Sequence, residues 1–110
     1  MELKQSTIDT HIVFYLSGKI MGGPDATMLN DQLHTLLEQG HKKIIVDLSQ
    51  VELMNSSGLG ILISGLTTVR NAGGQFKLAG VTDRIRSLLA ITKLHTIFEI
   101  YDSVQKALEI

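Results

Sequence analysis

The 110-residue chain has no cysteine. Disulfides, thiol catalysis and thiolate metal sites are therefore excluded together. It also lacks a charge of one sign: ten basic residues stand against eleven acidic ones, a formal net charge of −1. That balance gives no general pull toward nucleic acid or an anionic membrane. Lys42-Lys43 is the only adjacent basic pair, and a solvated strand entrance accounts for it better than a phosphate patch. No apolar run is long enough to cross a bilayer. The strongest, Leu59 to Leu66, is interrupted by Ser64 and Gly65. The polar start, MELKQST, lacks the apolar stretch of a signal peptide. With 44% apolar and 19% charged residues, the expectation is one soluble cytoplasmic domain spanning 1–110, without direct membrane insertion.

What is present alternates between two periods. Residues 3–8 and 11–16 read as short strands joined at Asp9-Thr10, a hairpin with a weak turn pair. Ser17-Gly18 breaks the pattern, and residues 21–24 form a loop. Pro24 or Asp25 opens a helix in which Met28, Leu29, Leu33, Leu36 and Leu37 make one apolar face, and Gly40 ends it. Ile44, Ile45, Val46 and Leu48 form a continuous run suited to a central strand. Residues 48–55 read as a short loop. A helix follows over about 57–72, with Leu62, Leu66 and Val69 inward and Gly73-Gly74 as its stop. QFKLAGV is the next strand, 83–91 a helix with Ile85, Leu88 and Leu89 on one face, and 95–100 a brief strand. Asp102 or Ser103 caps a last helix, VQKALEI. The order β-β-α-β-α-β-α-β-α predicts an α/β domain with its later strands parallel and helices packed across the sheet.

Enzyme chemistry finds little support. Gly58 and Gly60 begin a G-x-G-x-x-G pattern, but Ile63 occupies the third glycine position. Lys77, Leu78 and Ala79 stand where a ribose-binding acid would end the following strand. A P-loop lysine is absent. Met54-Asn55-Ser56-Ser57-Gly58 does not fit the G-x-S-x-G nucleophile elbow. His11, His34, His41 and His95 are scattered without metal-ligand spacing. The residues predict no enzyme, no cofactor and no metal.

Ser56 and Ser57 remain, at the start of the central helix. Either could be its N-cap, a role worth about 1 kcal/mol. The same place suits a phosphate, because a helix N-terminus offers unpaired N–H groups and about half a positive charge. Gly58 and Gly60 are expected to keep the approach to the hydroxyls open. Leu59 and Ile63, off the core stripe, are expected to form an exposed apolar patch beside them.

The stretch VDLSQVELMNSSGLGILISGLTTVRNAGGQFKLAGV resembles the central block of bacterial anti-sigma factor antagonists of the STAS family. The resemblance extends to SGKI after the second strand and to LLAITKLHTIFEIYDSVQKAL near the end, so it covers nearly the whole chain. It implies a STAS-like mixed sheet of four to five strands with about four helices against it. It also implies partner switching. The unphosphorylated antagonist binds an anti-sigma factor, a serine kinase with a histidine-kinase-like ATPase domain, and frees a sigma factor. The kinase then phosphorylates the antagonist and binding is lost, until a serine phosphatase resets the cycle. Carried over by position, the phosphoacceptor is Ser57, with Ser56 the second choice. Asn55, Ser56, Ser57, Gly58, Leu59, Ile63, Met21 and Asp25 would face the partner. Two positions depart from the family: Asn55 and Met21 stand where acids are usual. The alternative they leave open is an unphosphorylated scaffold subunit of a membrane transporter or lipid-transport complex. The chain is expected to be a monomer or weak dimer.

Overall fold

A computed structural model describes residues 1–109. One five-stranded sheet carries the strands in sequence order, β1 (Glu2–Ile8), β2 (His11–Ile20), β3 (Lys43–Met54), β4 (Gln75–Ala79) and β5 (Glu99–Tyr101). Only β1 and β2 run antiparallel, as a hairpin turning at Asp9 with φ 54°. The other pairs are parallel and are joined through α1 (Pro24–Glu38), α2 (Ser56–Asn71) and α3 (Asp83–Ile91). Because parallel crossovers share one hand and the strand order never reverses, these three helices fall on the same face. Their apolar stripes meet Ile12, Phe14, Leu16, Ile44, Val46, Leu48, Phe76 and Leu78 in the main core. The opposite face presents Val13, Ile45 and Ala79 to the short α4 (Val104–Leu108), capped by Ser103. Burial on both faces explains the unbroken apolar run at 44–46. The predicted last residue of that helix, Ile110, lies outside the described residues.

Three expectations need correction. β2 does not stop at Ser17-Gly18 but continues to Ile20, and β3 runs through the predicted loop to Met54. Their pairing carries irregularities between Tyr15 and Ser17 and between Gly18 and Lys19, with Gly18 at φ +82°. Core-facing residues of β3 therefore recur as Leu48, Val51 and Met54, three apart instead of two. The bulges hide the strand period. The third correction lies near the end. Residues 94–96 form a 3-10 turn after left-handed Lys93, which delays β5 to Glu99–Tyr101. Phe98, just before it, is buried with its ring centroid 6.3 Å from that of Phe76.

The long ends of β2 and β3 project together at one edge. They deliver the loops that begin α1 and α2 to a single place.

Candidate functional site

β3 passes into α2 through one residue. Met54 is buried, and Asn55 follows with φ −104° and ψ −174°, the extended backbone of an N-cap. Its Oδ1 accepts the Gly58 N–H at 2.8 Å, its carbonyl accepts the Leu59 N–H at 3.0 Å, and its own N–H donates to the Ile20 carbonyl at 3.4 Å. The cap is thus Asn55 and neither serine, a correction that the chemistry supports, since asparagine ranks among the strongest N-caps. Ser56 and Ser57 become the first two helical residues. Both are exposed, and among the described residues neither hydroxyl has a hydrogen-bond partner. Their backbone N–H groups belong to the unpaired first turn, at the positive end of the helix, and that turn holds no acid.

Gly58 is buried, and its role is not to open the approach. A Cβ there would run into the Ile20 carbonyl oxygen and lie 2.8 Å from Met54 Cγ, so the glycine lets α2 seat on the end of β2. Gly60 is the open one, with nothing within 4 Å of a Cβ. Leu59 is also corrected: it is 3% exposed and belongs to the core, while Ile63 is half-buried and packs against it. The expected apolar patch of Leu59 and Ile63 does not exist as an exposed surface.

Across from α2 lies the loop that ends β2. Met21 is one of two large apolar residues left exposed among the described residues, at 46%. Its neighbour Gly22 has φ +96°, and a Cβ there would sit 2.8 Å from Ser57 Cβ and 3.6 Å from Ser57 Oγ. Sequence reading missed this contact. The signal was the Gly22-Gly23 pair ahead of Pro24, which marks a backbone conformation closed to other residues. Asp25, in the first turn of α1, lies 3.7 Å from the Met1 amino group and makes no hydrogen bond to either serine. The structure therefore brings together Asn55, Ser56, Ser57 and Gly58 with Met21 and Gly22.

The histidines stay dispersed, and the described residues contain no group of three or more His, Asp or Glu that could hold a metal ion. No described helix is long and apolar enough to cross a membrane. A groove of about 370 Å³ between β1 and α1, lined by Gln5, Asp31, Gln32, Thr35, Leu36 and Gln39, includes none of the site residues. What the site offers chemically is a free, exposed hydroxyl beside N–H donors, with no base hydrogen-bonded to it among the described residues.

Comparison with known proteins agrees in fold and extent. The family model of the STAS domain matches residues 3–107. A Thermotoga neapolitana protein provisionally named an anti-sigma factor antagonist is 40% identical over 73 residues, which are 66% of this chain and 65% of that protein. The anti-sigma-B factor antagonist of Bacillus subtilis is 35% identical over 75 residues, 68% of each chain. The crystal structure of a Thermotoga maritima protein, provisionally described in the same way, superposes with a TM-score of 0.86 at 25% identity, covering 97% of this chain and 92% of the other.

Proposed function

This chain belongs to the STAS domain family, with the anti-sigma factor antagonists as its relatives, and we propose that it binds an anti-sigma factor serine kinase and is switched off by phosphorylation of Ser57. The kinase, of histidine-kinase-like ATPase fold, is held by the unphosphorylated form, and its sigma factor goes free. Transfer moves the γ-phosphoryl group of ATP to Ser57 Oγ. The bond to the β-phosphate breaks, ADP leaves and the hydroxyl proton is released. A serine phosphatase hydrolyses the phosphoserine and restores the first state. The protein itself supplies no catalytic group, and its site of action is the cytoplasm.

The observation that carries this reading is the Asn55 cap. With Gly58 N–H already satisfied by Asn55 Oδ1, Ser57 has no capping task and its hydroxyl stands free at an exposed first-turn position. An added phosphate of about −1.5 to −2 charges would meet the positive helix end, so the fold tolerates it. A partner seated over Ser57 would instead have to bury that charge, at a cost of several kcal/mol, enough to abolish a micromolar complex. The scaffold alternative drew on Asn55 and Met21. Asn55 is accounted for by its cap, and Met21 stands exposed next to the glycine that touches Ser57.

The test is a pull-down from native cell extract with and without ATP, followed by intact mass of the bait and titration calorimetry with the captured partner. Capture of an ATPase-fold kinase is expected, with one added phosphate that Ser57→Ala abolishes. Ser57→Asp should keep the fold and weaken binding at least tenfold. Capture of a membrane complex with no added phosphate, or equal affinity of wild type and Ser57→Asp, would overturn the reading.

A further inference from the structure

We infer that Gly22 is a positioning residue for Ser57, and that its missing side chain determines that Ser57, not Ser56, accepts the phosphate. The two serines are adjacent, exposed and chemically alike, and the Asn55 cap uses neither. One difference between their surroundings is the contact with Gly22. Gly22 lies directly against Ser57, with a hypothetical Cβ 2.8 Å from Ser57 Cβ, 3.6 Å from its Oγ and 3.9 Å from its carbonyl carbon. A real carbon pair does not approach to 2.8 Å, so any side chain at 22 displaces either the Met21–Gly23 loop or the Ser57 side chain.

The backbone beside this contact is anchored. At the next residue of the helix, Gly58 is packed against the Ile20 carbonyl and Met54, which pins α2 to the end of β2. Ile20 is itself fully buried and also accepts the Asn55 N–H. The chain from Ile20 to Gly22 is thus anchored at Ile20 on one flank of α2 and rests on Ser57 at Gly22. Gly22 also occupies φ +96°, which L side chains rarely adopt. The Ser57 hydroxyl thus has the Gly22 backbone on one side and solvent on the other. We take this contact to restrict the Ser57 side chain, and no glycine Cβ position has Ser56 among its nearest atoms. Phosphoryl transfer needs the attacking oxygen in line with the bond that breaks, so a pre-set hydroxyl is the better acceptor.

The choice of acceptor rests on the proposed kinase reaction, but the positioning does not, and the two can fail separately. Strain and contact are separated by a matched control. Gly18 has φ +82° with nothing within 4 Å of a Cβ, so Gly18→Ala brings backbone strain without touching Ser57. In isotope-labelled protein, Gly22→Ala is expected to move the Ser57 13Cα and 13Cβ resonances, while Gly18→Ala leaves them in place. With the captured kinase and ATP, phosphate on Ser57, mapped by peptide mass, should fall at least tenfold in Gly22→Ala relative to Gly18→Ala. A Ser56 share should appear in its place. Should Gly22→Ala not fold, Gly22→Asn carries the same Cβ with a smaller backbone penalty. Unmoved Ser57 resonances in the folded variant, or equal Ser57 phosphorylation in the two variants, would overturn the inference. Shifted Ser57 resonances in a protein whose wild type accepts no phosphate would leave the positioning standing and reject the kinase reading.

Discussion

At Asn55 one amide does the work for which two hydroxyls were available. Its extended backbone turns the chain from β3 into α2, and its Oδ1 satisfies the Gly58 N–H at 2.8 Å. Losing that acceptor leaves a half-buried donor unpaired. Asn55→Ala is expected to lower stability by about 1 kcal/mol, the usual cost of removing a good cap. For a chain of this size that is a fall of roughly 4–8 °C in Tm. Asn55→Asp keeps the acceptor and should stay within a few tenths of a kcal/mol of the wild type. Thermal and urea unfolding of the pair checks this, and an unchanged Asn55→Ala would return the cap to one of the serines. Asparagine and serine are comparable caps, so propensity alone gave no reason to pass over the two serines in favour of the Asn55 that precedes them. Only the hydrogen bond to Gly58, fixed by where β3 ends, decides it.

The elements were legible where their period is regular. α1, α3 and the core run of β3 follow from apolar spacing and from their flanking glycine, proline and polar residues. Legibility failed where two strands bulge together. The three-residue recurrence of Leu48, Val51 and Met54 fits neither strand nor helix, so the second half of β3 looked like a loop. That same stretch carries the site, because the extra length places Asn55 beside Ile20. α2 misled in another way: Leu59 seemed to lie off the apolar stripe, yet the first turn is wedged against the sheet end and buries it. Two of its glycines make the asymmetry testable. Gly58 faces the Ile20 carbonyl, and Gly60 faces open space. Gly60→Ala should stabilise the protein by about 0.5–1 kcal/mol, the helix-propensity difference. Gly58→Ala should destabilise it by about 1–3 kcal/mol through overpacking. Equilibrium denaturation distinguishes them, and equal effects would mean that the helix is not seated on β2 as described.

For the whole molecule, the two faces of the sheet are unequally covered, and the thin side has its own pH dependence. Three helices protect the main core, while Val13, Ile45 and Ala79 have a five-residue helix and the flanking Ile8, Tyr15 and Tyr101 packed against them. That helix is tied down by Lys77, which is 2% exposed, donates from Nζ to the Ala107 carbonyl at 3.2 Å and lies 5.4 Å from the Tyr101 ring centroid. His11 is buried at the start of β2, and neither ring nitrogen has a hydrogen-bond partner among the described residues. Burial holds its pKa below the ordinary value near 6.5. Lys77 and Lys43 push it the same way, and only Asp9 opposes them. The folded state therefore refuses a proton that the unfolded chain accepts. The resulting stability is complete above pH 6.5 and is lost as the pH falls from there through the lowered folded value. Denaturation midpoints should decline between pH 7 and pH 5.5. His11→Leu should flatten that decline, because it removes the titrating group and two unpaired buried nitrogens at once. An undiminished decline in His11→Leu would assign the effect to another group. Neither outcome involves Ser57, so the site can be studied near neutral pH on a fully folded scaffold, with changes in partner binding there read as events at the α2 N-terminus.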